Sequence, residues 1–211
     1  MTWQPNVEAW RHLIEKHIGE GFGDPSRDVD RMLAWVDEES GGIPSALGEP
    51  YEVGIFQLDL QDGPAWGGTL WTLHGAFSES PISQKMVRAL RPEELDLQVT
   101  SGLSYVQHAR VAASAQLRAA GLTWGADDVW CLTKLQHGLP GLPHWFLPAY
   151  ARSPAPYFEQ TWPDFRAWAL TIDLEQAQRI SKPVARYRGI FERLFDNAEH
   201  VGYLPGPDGS G

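Results

Sequence analysis

An aspartate-proline pair, Asp24-Pro25, opens an amphipathic stretch that ends at the pair Glu39-Ser40, and this unit constrains the fold more than any other. Asp24 can cap a helix, and Pro25 suits its first position, where a backbone N–H would lack a partner anyway. The spacing predicts a helix from about Pro25 to Glu39, with Met32, Trp35 and Val36 on its apolar face. A loop rich in Gly, Pro and Trp follows over 40–95. A loop that long inside a compact domain usually carries function. Parts of 51–60 and 69–73 read as short strands, because Val53, Ile55 and Phe56 favour extended backbone.

The remaining signals are helical. Asn6 is the expected cap of a helix through about Ile18, with Val7, Trp10, Leu13, Ile14 and Ile18 as its apolar stripe. A long helix is expected from Asp96 to Ala120, stopping at Gly121. Another is capped by Asp127 or Thr123, runs to about His137 and ends at Gly138. Residues 138–164 carry six prolines and are expected to hold little regular structure. A short helix near 164–178 precedes a last one that starts at Ser181-Lys182-Pro183 and buries Val184, Tyr187, Ile190, Phe191 and Leu194. The G-P-D-G-S-G tail is expected to be disordered. The fold class is therefore mainly α. The expected organisation is an N-terminal helix over 1–24, a central domain over 25–149, and a C-terminal helical extension with a flexible tail over 150–211.

Composition narrows the partners. A net charge of −10 without any Lys/Arg run argues against nucleic acid. No segment approaches transmembrane length, and the N-terminus lacks the basic and apolar regions of a secretory signal. The single cysteine, Cys131, sits in an apolar run and reads as a buried core thiol. Seven scattered histidines show no metal-ligand spacing, so no metal or other cofactor is indicated. Ten tryptophans exceed what most chains of 211 residues carry. Most belong in a core, and a minority can serve as flat platforms for sugar rings.

Three adjacent acids, Asp37, Glu38 and Glu39, end the predicted helix. At about 100° per residue, Glu39 shares the face of Met32, Trp35 and Val36, whereas Asp37 falls opposite and Glu38 on the flank. Glu39 is thus expected to point inward and the other two to be solvated. Burial and the negative end of the helix dipole both disfavour the charged carboxylate, which suits a general acid.

The residues after Glu39 give this acid a context. Glu39, Ser40, Pro44, Ala46, Gly54 and Gln57 keep the register of the lysozyme-like lytic transglycosylases, whose catalytic Glu is followed by Ser, by Pro and then by G-L-M-Q. Ile55 and Phe56 replace the Leu and Met. The segment Gly54-Ile55-Phe56-Gln57-Leu58-Asp59 also resembles the G-L-M-Q-V-D of goose-type lysozymes. The later A-Y-N-A-G-P motif is altered here to Thr133-Lys134-Leu135-Gln136-His137-Gly138-Leu139-Pro140. Leu135 stands in place of its tyrosine and Gln136 in place of its asparagine. The resemblance covers roughly 25–145.

That resemblance implies a lysozyme-like helical domain that cuts peptidoglycan between N-acetylmuramic acid and N-acetylglucosamine. Glu39 would protonate the leaving oxygen and Ser40 would hold its carboxylate. Gly54, Ile55, Phe56 and Gln57 would bind sugar groups, with Tyr105 and Gln136 lining the site. A transglycosylase needs one carboxylate. An inverting hydrolase needs a second, about 6.5–9.5 Å away, to activate water. Asp59 is the first candidate for that base, with Glu52 and Glu49 behind it, and a solvated loop acid is the alternative reading of Asp59. A different class of function also fits, an inactive lysozyme-like adaptor of a phage-type particle. Either way the chain is expected to be made in the cytoplasm and carried to the wall by a particle, with the C-terminal region docking other particle or secretion-apparatus proteins.

Overall fold

A computed structural model of the chain describes residues 2–19, 22–48, 52–59, 95–153 and 160–204. Helix dominates them, as the sequence predicts. The chain divides into two compact units, one running to His108 and the other spanning Ala109–Leu204. This partition differs from the sequence expectation of breaks after residues 24 and 149. Its boundary falls inside one long helix.

In the first unit, the expected N-terminal helix is two short ones, α1 (Pro5–Glu8) and α2 (Arg11–His17). Gln4, not Asn6, occupies the cap position. Asn6 instead donates its side-chain amide to the Gly41 carbonyl. Helix α3 (Pro25–Ser40) starts as its sequence dictates, with Asp24 accepting a bond from the Arg27 amide at 3.3 Å. It ends at Gly41, whose φ of 57° is the left-handed conformation that terminates helices. Met32, Leu33, Trp35 and Val36 are fully buried on α3. Asp28 and Arg31, one turn apart, form a buried ion pair at 2.6 Å.

The predicted strand region over 51–60 is a minimal hairpin. Strands β1 (Glu52–Val53) and β2 (Leu58–Asp59) pair antiparallel, with Glu52 opposite Asp59 and Val53 opposite Leu58. The Gly54–Gln57 tetrapeptide is its turn, closed by the Gln57 amide donating to the Gly54 carbonyl at 3.2 Å. The other expected strand, over 69–73, lies outside the described residues.

Helix α4 (Leu95–Ala120) follows, one residue longer than predicted. It stops at Gly121, φ 74°, where the Leu122 amide reaches back to the Leu117 carbonyl. The second unit then builds its own core from α5 (Ala126–Gly138), α6 (Gly141–Ala151), α7 (Trp162–Thr171), α8 (Leu174–Ile180), α9 (Lys182–Ala185), a 3-10 turn (Arg188–Ile190) and α10 (Phe191–Gly202). Helix α5 is capped by neither Asp127 nor Thr123; Gly125 holds that position.

Helix α6 overturns the expectation of an irregular proline-rich segment. Pro143 lies in its first turn, where amides have no helical partner, whereas Pro148 lies inside the helix and gives up one hydrogen bond. Leu142, Phe146, Leu147 and Tyr150 bury along one side and supply the burial that outweighs the prolines. The expected helix over 164–178 is likewise two helices. Asp173 separates them and forms a reciprocal capping box with Gln176. Of the residues predicted to bury in the last helix, Val184 and Phe191 do, Ile190 and Leu194 are half-buried, and Tyr187 is exposed. The terminal G-P-D-G-S-G lies outside the described residues.

Candidate functional site

The end of α3 is held in place from three directions. From the N-terminal side, the Trp10 indole donates to the Gly42 carbonyl at 2.9 Å. The Asn6 carbonyl lies so close to Gly42 that a Cβ there would sit 2.4 Å from it. From the hairpin side, the Ser40 hydroxyl lies 3.0 Å from both the Val36 and Ile55 carbonyls, and it accepts the Gly42 amide at 3.1 Å. From α4, the buried Gln98 amide bridges two segments. Its Oε1 accepts the Ile55 N–H at 3.1 Å, and its Nε2 donates to the Pro44 carbonyl at 3.3 Å.

These bonds correct the expectation for Ser40. Its hydroxyl is committed to backbone carbonyls and fastens the hairpin turn to the helix end, instead of holding the Glu39 carboxylate. The turn residues also serve the fold. Ile55 and Phe56 are 0% and 1% exposed, so their side chains are core and offer no apolar surface to a sugar. Gln57, at φ 46°, is buried, and its Nε2 donates to the Ala46 and Gly54 carbonyls at 3.2 and 2.7 Å. The Gly54 N–H is used as well, donating to the Ala46 carbonyl at 3.0 Å. The G-I-F-Q segment therefore acts chiefly as a rigid brace behind the acid.

Glu39 itself is half-buried, and Glu38 is exposed as the helical phase predicts. Asp37, expected to be solvated, is half-buried too, so burial alone does not separate it from Glu39. Tyr105 does separate them. Its phenol is held well above the ordinary tyrosine range, first by burial and then by the negative charges of Glu39 and Glu52. Glu39, Glu52 and Tyr105 thus form one electrostatic group, in which the phenol stays neutral.

Glu52 belongs to the group because β1 places it there. Its Oε2 lies against Gly48, where an added Cβ would sit 2.5 Å from that oxygen and 2.4 Å from the Gln57 Oε1. Asp59 is opposite Glu52 in the backbone register, but its side chain lies outside the described residues. Glu49 lies outside them entirely. Gln136 is on α5 in the second unit and is half-buried. Its Oε1 is buried with no hydrogen-bond partner.

Gln98 is the residue that sequence reading misses. A signal was present: Gln98, Ser101, Gly102 and Tyr105 recur at helical spacing and make a small, polar stripe along one side of the helix. Gly102 in mid-helix costs stability unless something needs the space. The Phe56 ring needs it, since a Cβ on Gly102 would lie 2.2 Å from that ring.

Among the described residues no His, Cys, Asp and Glu cluster could hold a metal ion, and no helix is long and apolar enough to cross a membrane. Cys131 is fully buried. Compared with protein-family profiles, curated proteins and solved structures, the chain matches none.

Proposed function

We propose that the first unit cleaves the glycosidic bond between N-acetylmuramic acid and N-acetylglucosamine in peptidoglycan, with Glu39 as the general acid. The observation that carries this reading is the joint bearing of Glu39 and Glu52 on the neutral Tyr105 phenol, at a helix end braced from three sides. Rigid support of this kind is what a proton-transferring carboxylate needs. The register from Glu39 to Gln57 supplies the substrate class. In the transglycosylase route Glu39 protonates the leaving oxygen. It then takes the proton of the muramic acid 6-hydroxyl as that oxygen closes on C1, which leaves a 1,6-anhydro end.

The second carboxylate supports a hydrolytic variant. In it Glu52, or Asp59 opposite it, activates the attacking water. The site would act at the cell wall, reached as part of a phage-type particle. Digestion of purified wall followed by mass spectrometry tests both routes. Anhydro ends mean transglycosylase and reducing ends mean hydrolase. Glu39→Gln is expected to abolish either product while the circular dichroism spectrum is unchanged. Clearing by that variant at the wild-type rate overturns the assignment of Glu39. A folded wild-type protein that gives no product overturns the enzymatic reading in favour of an adaptor.

A further inference from the structure

Eight of the ten tryptophans fall within the described residues, and among those eight only Trp145 stands mostly in solvent, at 50% exposure. Trp3, Trp10, Trp35, Trp130 and Trp162 are buried, and Trp124 and Trp168 are half-buried. An indole left half in water, where the seven other described tryptophans are buried or half-buried, needs a reason beyond packing.

Its surroundings give one. Trp145 lies on α6, and His144 meets it edge-on, with ring centroids 4.9 Å apart and planes at 85°. Beside it runs α9. A Cβ on Gly141 would lie 3.9 Å from the Trp145 Cδ1 and 3.0 Å from a Val184 methyl, so the indole edge and α9 both flank Gly141. One turn beyond Val184 comes Tyr187, 39% exposed, with the Arg186 guanidinium 5.4 Å from its ring centroid.

Charge points the same way. Between Arg179 and Arg193 five basic residues meet a single acid, within a chain of net charge −10. Arg179 is spent on Glu175, and Arg188 on the Ile172 and Leu170 carbonyls. Lys182 and Arg186 are exposed at the two ends of α9; Arg186 donates its Nε to the Pro183 carbonyl at 3.0 Å and lies over the Tyr187 ring. A polymer of sugar rings that carries carboxylates suits this combination, because rings stack on indole and phenol faces and carboxylates pair with the cations.

We propose that Trp145, Tyr187, Lys182 and Arg186 form a binding surface of the second unit for the anionic peptidoglycan strand, apart from the cleavage residues of the first unit. The identity of the polymer rests on the reading of Glu39 given above; the surface itself does not. The test is co-sedimentation of the full chain carrying Glu39→Gln with protein-free insoluble sacculi, so that the wall stays intact. Adding Trp145→Ala is expected to weaken retention about tenfold, as loss of an aromatic anchor does. Trp145→Phe should restore most of it. Lys182→Gln with Arg186→Gln should weaken retention at low salt and flatten its salt dependence. Undiminished retention in Trp145→Ala overturns the proposal, as does failure of the parent chain to bind sacculi. Conversion of an oligomer to a monomer by Trp145→Ala, read by sedimentation velocity, overturns it too, because the face would then be a self-contact. If the wild type cuts no wall yet is retained through Trp145, the catalytic reading falls and this one stands.

Discussion

Tyr105 makes the first unit sensitive to alkali in a way that identifies its neighbours. An unfolded tyrosine ionises at about pH 10. In the fold, burial and the charges of Glu39 and Glu52 hold the Tyr105 proton on to higher pH. Above about pH 10 the unfolded chain therefore sheds a proton that the folded chain keeps, and stability falls as pH rises. Tyr203, raised by burial and by its bond to Asp128, adds a second contribution of the same sign. Tyr105→Phe is expected to leave a shallower loss of stability between about pH 10 and 11 than the wild type shows, read from urea midpoints at each pH. Parallel curves for the two proteins would remove Tyr105 from the electrostatic group. At this scale the sequence nominates Glu39 and Tyr105, and the structure gives Ser40 and Gln57 other work than the motif implies. A motif read along the chain records which residues recur at which spacing. It does not record that the Ser40 hydroxyl turns to the Ile55 carbonyl, or that Gln57 spends its Nε2 on the Ala46 and Gly54 carbonyls. Those outcomes depend on the hairpin folding back onto α3, a contact that no local pattern encodes.

The hairpin against α4 is the element-level joint on which the site depends, and Gly102 sets its closeness. In an ordinary exposed helix, replacing Gly by Ala gains about 0.5–1 kcal/mol. At Gly102 the added Cβ would lie 2.2 Å from the Phe56 ring, a clash that a fully buried ring cannot relieve cheaply. Overpacking of this kind costs about 1–3 kcal/mol, so the clash outweighs the propensity gain. Gly102→Ala is expected to lower the urea midpoint and to depress wall cleavage by shifting the Gly54–Gln57 turn. Gly189→Ala, which meets open space at an ordinary φ, should stay close to neutral. A stabilised Gly102→Ala protein would mean that the hairpin does not pack there. Elements with strong punctuation were legible in advance. Asp24-Pro25 opens α3, and Gly121 ends α4. Where two signals compete the sequence misleads. The prolines of 138–164 argue against helix, yet Pro143 sits in the first turn of α6, where a missing amide costs little, and the burial of Leu142, Phe146, Leu147 and Tyr150 outweighs the bond that Pro148 gives up inside it.

Across the whole molecule, one helix supplies both cores. Val99, Leu103 and Val106 of α4 are buried in the first unit, and Ala113 and Leu117 join the aromatic core of the second. That second core centres on Phe165, whose ring lies 5.5–6.1 Å from those of Trp124, Tyr150, Trp162, Trp168 and Phe195. Deleting a fully buried phenylalanine costs about 3–5 kcal/mol. A domain is stable by only about 5–15 kcal/mol in total, so Phe165→Ala removes a large fraction of what the second unit has. The hydrogen bonds that hold the end of α3 join it to α1, Trp10, the hairpin and the start of α4, all within the first unit. Phe165→Ala is therefore expected to unfold in two steps. Hydrogen exchange followed by mass spectrometry should show amides of 126–202 losing protection while those of 25–40 and 52–59 keep it. Equal loss in both regions would mean that α4 couples the cores into one cooperative whole. In that case the brace around Glu39 would owe its rigidity to Phe165 as much as to Ser40 and Gln98, and wall cleavage would fail in step with the second core.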